Sequence, residues 1–205
     1  LMPYVLEANA GIKAERSIVL QFEAMNGAGQ ALTQPQRAVL LNLAKRYRLP
    51  TAQQKAPTNQ VIRQVLERVD VLPMSLVLAQ AANESGWGTS RFAREGNNFF
   101  GIWCFYKSCG MTPERRDDGR FHEVAMFDTV EEGVRYYIRT INSHIAYDGL
   151  RETRAIARQQ NEPFAGEELA SGLLRYSERG LMYVNEIQSM IRYNQLQRFT
   201  RQWRA

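Results

Sequence analysis

Two cysteines and two histidines are all the soft metal ligands in this chain of 205 residues. A zinc site on Cys104 and Cys109 would need two more ligands, and only His122 and His144 could supply them; with the cysteines read as a disulfide, two histidines are left, and hydrolysis by zinc-activated water is not expected. Long apolar runs are missing too. No stretch reaches the roughly eighteen apolar residues that a bilayer-spanning helix needs. Seven prolines, fourteen glycines and 23% charged residues exclude a collagen-like, low-complexity or largely disordered polypeptide. Charge of one sign is not concentrated either: 26 basic residues stand against 21 acidic ones, a net +5. That excess favours an anionic polymer as partner without requiring one. With no clustered basic face and no base-stacking motif, nucleic acid is not expected.

What is present is 44% hydrophobic, enough for one domain or one domain with a helical extension. The chain opens on Leu1 rather than Met, which reads as a processed or trimmed product and says nothing about export. Cys104 and Cys109 are five apart and close a short loop, which reads as a disulfide and an oxidising compartment; two free thiols are the alternative.

Helical periodicity dominates the pattern. Ile18, Val19, Phe22 and Met25 share a face before Asn26-Gly27-Ala28-Gly29 stops them, and Val39, Leu40, Leu43 and Tyr47 form a second stripe. The polar, turn-rich stretch from Pro50 to Pro57 reads as a joint. Thr58 is placed to cap a helix carrying Val61, Ile62, Val65, Leu66 and Val69, and Pro73 to sit in the first turn of the next. From Gly101 to Phe127 aromatic and β-branched residues surround the turn signal Asp117-Asp118-Gly119, which predicts a β-hairpin or small sheet. Thr129 then caps a helix with Val134, Tyr137, Ile138 and Ile141, and further helices follow to a long one carrying Val184, Ile187 and Ile191.

Glu84 is the first candidate for chemistry. Val77, Ala81 and Glu84 are spaced i, i+4, i+7, which puts a carboxyl on the apolar stripe near a helix C-terminus. Partial burial and the negative end of the helix dipole both raise its pKa, as a general acid requires. A Glu at the helix edge whose carboxylate reaches water is the competing reading. Gly86-Trp87-Gly88 follows as an open turn with a ring on which a sugar face can stack.

The string Ala79-Gln80-Ala81-Ala82-Asn83-Glu84-Ser85-Gly86-Trp87-Gly88, followed by Asn97-Asn98-Phe99-Phe100-Gly101-Ile102 and by Tyr176-Ser177-Glu178-Arg179-Gly180 with Tyr183-Val184, resembles the glucosaminidase family of bacterial wall hydrolases, glycoside hydrolase family 73. Trp103-Cys104, Cys109-Gly110, His122-Glu123-Val124, Leu1-Met2-Pro3-Tyr4 and Ala8-Asn9 are similar to its Bax-type branch. The resemblance covers nearly the whole chain. It implies a predominantly helical α+β fold: a lysozyme-like catalytic domain over residues 58–205 with a small β-hairpin lobe, preceded by an N-terminal helical extension over 1–57. It also implies hydrolysis of the β-1,4 bond after N-acetylglucosamine in peptidoglycan glycan strands by an exported, periplasmic or envelope protein. No cofactor and no metal are expected, and a monomer is.

Carried over residue by residue, the resemblance makes Glu84 the general acid. Asn98, Phe100 and Gly101 then shape the floor of the sugar cleft. Tyr176 binds substrate, and Tyr183 is the tyrosine nearest the reaction centre; packing between helices is the plainer role for both. Apart from the resemblance, the aromatics Trp103, Phe105 and Tyr106 are candidates to line the sugar groove, with the cystine loop that holds them as a cleft wall. Glycoside hydrolysis usually needs a second carboxylate. Glu114, Asp117, Asp118 and Glu123 are available, and Glu123 is favoured because it shares strand parity with Phe121, Ala125 and Phe127. The substrate's own 2-acetamido group is the alternative nucleophile. His122 reads as a hydrogen-bonded strand residue, His144 as a cap or surface residue, and Arg198, Arg201 and Arg204 as a basic end. A lytic transglycosylase, with a single acid and an anhydro product, is the nearest rival; a wall-binding module without turnover is the non-enzymatic one.

Overall fold

The computed structural model describes residues 1–113 and 122–201. Its elements run α1 Met2–Gly27, α2 Gln34–Arg46, α3 Thr51–Gln54, α4 Thr58–Arg68, α5 Met74–Ser85, α6 Arg91–Gly96, β1 Trp103–Cys104, β2 Gly110–Met111, β3 Glu123–Ala125, α7 Val130–Ser143, α8 Asp148–Gln159, α9 Gly166–Leu169, α10 Leu181–Tyr193 and α11 Gln197–Arg201, with 3-10 turns at Ile145–Tyr147 and Ala170–Leu173. The fold is α+β and mostly helical.

α5 is the axis. Met74, Ser75, Leu76, Val77, Ala79, Gln80 and Ala81 are all buried, and the helix touches α1, α9, α10 and α11. A helix apolar on nearly every side has to be wrapped by its neighbours. Its two polar ends are answered individually. The Ser75 backbone N–H donates to Thr200 Oγ1 at 3.0 Å, and the Ser85 hydroxyl returns to the Ala81 carbonyl at 2.6 Å.

α1 packs into the same core through Val5, Ala8, Ile12, Val19 and Phe22. It runs well upstream of the stripe legible at residues 18–25. Its buried Asn9 donates to the Leu72 carbonyl at 2.8 Å and accepts from the Leu72 N–H at 3.1 Å, pinning the segment that leads into α5. The joint at 50–57 contains the short α3. Thr58 is the first residue of α4, with Pro57 in the cap position, whereas Thr129 caps α7 as the sequence predicts, accepting from the Glu132 N–H at 3.1 Å.

Between α4 and α5 lies a buried charge cluster. Arg158 donates to both oxygens of Asp70, at 3.0 and 2.8 Å, and Arg16 lies 3.4 Å away. The fully buried Arg154 spends its guanidinium on the carbonyls of Glu67, Asp70 and Val71 and on Asn142 Oδ1. Burial alone would push the Asp70 carboxyl up. The Arg158 hydrogen bonds and the charges of Arg154, Arg16 and Arg158 outweigh it and hold the group below the usual carboxylate range.

The β-lobe is an antiparallel three-stranded sheet in the order β1-β3-β2, with Cys104 opposite Glu123 and Met111 opposite Val124. The expected turn at Asp117-Asp118-Gly119 lies outside the described residues, as do Glu114, Phe121 and Arg204. Cys104 and Cys109 are joined as a disulfide. Among the described residues no helix is long and apolar enough to cross a membrane.

Candidate active site

α5 ends where Gly86 takes a left-handed conformation (φ +55°), and Trp87 and Gly88 also have positive φ. Gly86 and Gly88 adopt that geometry without steric cost, while Trp87 holds it under strain and is largely exposed. The turn is fixed from below by Ser85, whose hydroxyl accepts the Gly88 N–H at 2.7 Å. This abrupt stop leaves Glu84 in the last turn with its carboxyl turned toward Gly101. A Cβ built on Gly101 would lie 3.2 Å from Glu84 Oε2, and Gly101 itself has φ +61°. Glycine is therefore required there for the backbone conformation and for the close approach.

Burial is the strongest influence on Glu84 and pushes its carboxyl up. Hydrogen bonds from Tyr183 and Asn83 and the charge of Arg179 pull it down, Glu186 pushes it up, and the net direction is upward. Tyr183, on α10, is buried, and its oxygen accepts from Gln80 Nε2 at 2.9 Å. Its own proton is then left for Glu84. The Gln80 carbonyl oxygen accepts in turn from the Tyr137 hydroxyl. Four buried or half-buried side chains thus form a one-way chain of donors, Tyr137 to Gln80 to Tyr183 to Glu84. Burial raises the phenols of Tyr137, Tyr176 and Tyr183, and lifts Tyr147 to about 12. All four stay protonated, and Tyr137, Tyr176 and Tyr183 serve as donors.

The remaining expected floor residues are drawn in around this chain. Phe100 is buried and stacks on Tyr137 with centroids 3.9 Å apart, and its carbonyl accepts the Tyr176 hydroxyl at 2.7 Å. Tyr176 lies parallel to Tyr183 at 5.4 Å. Asn98 donates to the carbonyls of Ile102 and Ala125 at 2.9 and 2.8 Å, and accepts from the N–H groups of Phe100 and Ile102. Its amide is fully used in knitting the 98–102 turn to β3, so it builds the floor from beneath. Trp103 stands half exposed at the rim, edge-on to His122 at 4.5 Å.

Glu123 is placed differently. It is buried beside the disulfide, with Oε1 accepting from the Ser108 N–H at 3.2 Å and Oε2 from the Gly110 N–H at 2.8 Å. The structure ties it to the cystine loop. Cys104, Cys109 and Glu123 bring possible ligand atoms within 4.8 Å of one another, but the two sulfurs are bonded to each other, which removes the thiolates a metal would need. His144 caps the 3-10 turn after α7, accepting from the Ala146 N–H at 3.1 Å.

Sequence reasoning did not single out Gln80, Tyr137 or the Arg179–Glu186 ion pair (2.8 Å). Gln80 had a signal: it is the one amide inside the apolar span of α5, one turn before Glu84. Beside the site, an apolar cavity of about 300 Å³ is lined by Leu1, Leu78, Ala82, Trp87, Phe99 and Phe199. A larger one of about 580 Å³, lined by Lys13, Arg158, Phe164 and Thr200 among others, shares no residue with it.

Residues 59–196 match the glucosaminidase family model, described as mannosyl-glycoprotein endo-beta-N-acetylglucosaminidase. The chain belongs to the glucosaminidase family. It is 35% identical over 197 residues to Protein bax of Escherichia coli (strain K12), covering 95% of this chain and 67% of that protein, and is a Bax-type member. It is also 26% identical over 108 residues to a Streptococcus pneumoniae protein (serotype 4) named "Putative endo-beta-N-acetylglucosaminidase", covering 50% of this chain and 15% of that protein. The chain therefore spans two thirds of the first relative and a small part of the second. No solved structure matches it significantly. The glucosaminidase match runs from α4 through α10 and contains Glu84, Tyr183 and the whole floor around them. The family and the names of its relatives support a glycosidase acting on a glycan.

Proposed function

We propose that this chain is an exported peptidoglycan endo-β-N-acetylglucosaminidase of the family 73 type, working in the periplasm or at the cell wall, with Glu84 as general acid. The observation that carries the reading is the setting of Glu84: a carboxyl lodged against Gly101, its pKa pushed up by burial, with the Tyr183 proton directed at it. Burial favours the protonated form, and a carboxylic acid so placed can give its proton to the leaving glycosidic oxygen. Once the proton has left, the Tyr183 hydroxyl stabilises the carboxylate that remains. The disulfide supports an oxidising compartment. Both Glu123 oxygens already accept hydrogen bonds from the loop backbone, so we assign the second role to the substrate's 2-acetamido group, which then serves as nucleophile.

A lytic transglycosylase has one observation in its favour: Glu84 is the acid lodged in the floor, and that reaction uses a single acid. Mass spectrometry of purified peptidoglycan incubated with the wild-type chain and with Glu84→Gln separates the two. New reducing-end N-acetylglucosamine, absent with the substitution, is the expected result. Anhydro-muramyl ends would move the chain to the transglycosylases, and absence of any soluble product would leave a wall-binding role. Loss of turnover by a factor of at least ~10²–10⁴ is expected for Glu84→Gln.

A further inference from the structure

The cystine loop presents its aromatic residues outward. Phe105 is 81% exposed, Tyr106 71% and Trp103 44%. Rings exposed in a run of four residues are a surface to be covered, since scattered single aromatics are the ordinary pattern. The loop is also braced more heavily than a surface turn needs. The Cys104–Cys109 bond closes it at the base. The buried Glu123 takes the N–H groups of Ser108 and Gly110, and His122 holds Trp103 edge-on. Ser108 sits at φ +64°, a conformation that the brace stabilises against its strain. Gly110 fits so closely over β3 that a Cβ there would lie 2.0 Å from the Val124 carbonyl oxygen.

We propose that this braced aromatic loop is a second glycan-holding platform, outside the site of cleavage, and that Glu123 is its positioning residue. The proposal rests on the glycosidase reading above. Flat rings stack on the apolar faces of N-acetylhexosamines, while the Tyr106 hydroxyl and Lys107 ammonium supply donors for acetamido oxygens and lactyl or peptide carboxylates. The loop is continuous with the cleft, because Gly101 touches Glu84 and Trp103 follows two residues later. An extended chain covers at most about 3.5 Å per residue, so Phe105 starts within roughly 14 Å of the Gly101 backbone. A strand of several sugars seated at Glu84 spans that distance and has sugars to spare for the rings, whereas a short fragment bound at Glu84 offers them few or none. Fixing the rings in advance reduces the entropy lost when they grip the strand.

The test compares polymeric glycan strands with short soluble muropeptide fragments, using Phe105→Ala/Tyr106→Ala, Glu123→Gln and the wild-type chain. KM on polymeric strands is expected to rise about ten-fold in the double variant, with kcat falling less than three-fold. Glu123→Gln is expected to follow the same split, because its new amide faces a backbone N–H and the loop loosens. A fall of kcat by orders of magnitude on both substrates in Glu123→Gln would make Glu123 a reaction group and overturn its positioning role. Unchanged KM on polymer in the double variant would overturn the platform. Sedimentation with insoluble sacculi, with every variant built on Glu84→Gln, reads the platform without turnover, so it stands or falls even if the hydrolytic reading fails. Loss of binding to anionic phospholipid vesicles with undiminished sedimentation would assign the loop to a membrane surface instead.

Discussion

The oxygen of Tyr183 accepts the Gln80 amide proton, which leaves its own proton for Glu84. Such a donor favours the ionised carboxylate, while burial favours the neutral acid, and burial prevails. The sign for activity follows. With Glu84 as the general acid proposed above, turnover needs the neutral form and is expected to fall as pH rises through the raised pKa of Glu84. Removing the donor in Tyr183→Phe raises that pKa further. The basic limb of the kcat–pH profile is then expected to move to higher pH while its plateau drops, because the carboxylate left after proton transfer loses its partner. A limb that stays in place would sever Tyr183 from Glu84. Stability runs the other way at the acid itself. A carboxyl whose folded pKa is raised destabilises the fold increasingly as pH climbs from the unfolded value through the folded one. Glu84→Gln removes that penalty, so its melting temperature at neutral pH is expected to equal or exceed the wild type, which separates lost activity from lost structure. The partial burial of Glu84 was suggested by spacing, because burial and helix position are periodic properties, but spacing left a water-facing carboxylate as an equal reading and the motif around it decided. Gln80 was not legible, because its role depends on two tyrosines that arrive 57 and 103 residues later.

α8 and the segment before α5 are joined by charge. Asp70 is buried, and its folded pKa is depressed by three arginines, so the stabilisation it gives is present above its unfolded pKa near 3.9 and is lost as pH falls through the folded value. Removing one partner of such a cluster leaves cations uncompensated. Asp70→Asn is expected to lower unfolding free energy by about 3–5 kcal/mol at pH 7, with a smaller difference near pH 3; urea titrations at both values check it. Elements whose stripe and cap both lie in local sequence, such as α7 behind Thr129, were readable together with their starting point. The sheet order β1-β3-β2 was not, because strands of two or three residues leave no period to read. Nor was the Asp70 cluster, whose arginines come from α1 and α8, more than fifty residues away on either side.

At the scale of the molecule, α1 lies before the stretch that matches the family and yet supplies core. Val5, Ile12, Val19 and Phe22 are buried against the rest, at roughly 2 kcal/mol per large side chain. Together they are a large share of the ~5–15 kcal/mol that separates a folded domain from its unfolded state. Deleting residues 2–27 is therefore expected to give a chain that aggregates or binds a hydrophobic dye, even though every residue of the cleft remains. Gel filtration with dye fluorescence checks this, and a monodisperse, cooperatively melting product would refute it. The link between α1 and the cleft is Asn9, whose two bonds to Leu72 close a span of 63 residues. A chain that emerges amino end first has its longest apolar stripe made before its docking surface exists. Until α5 has been delivered, that stripe is open to whatever holdase or protease meets the polypeptide.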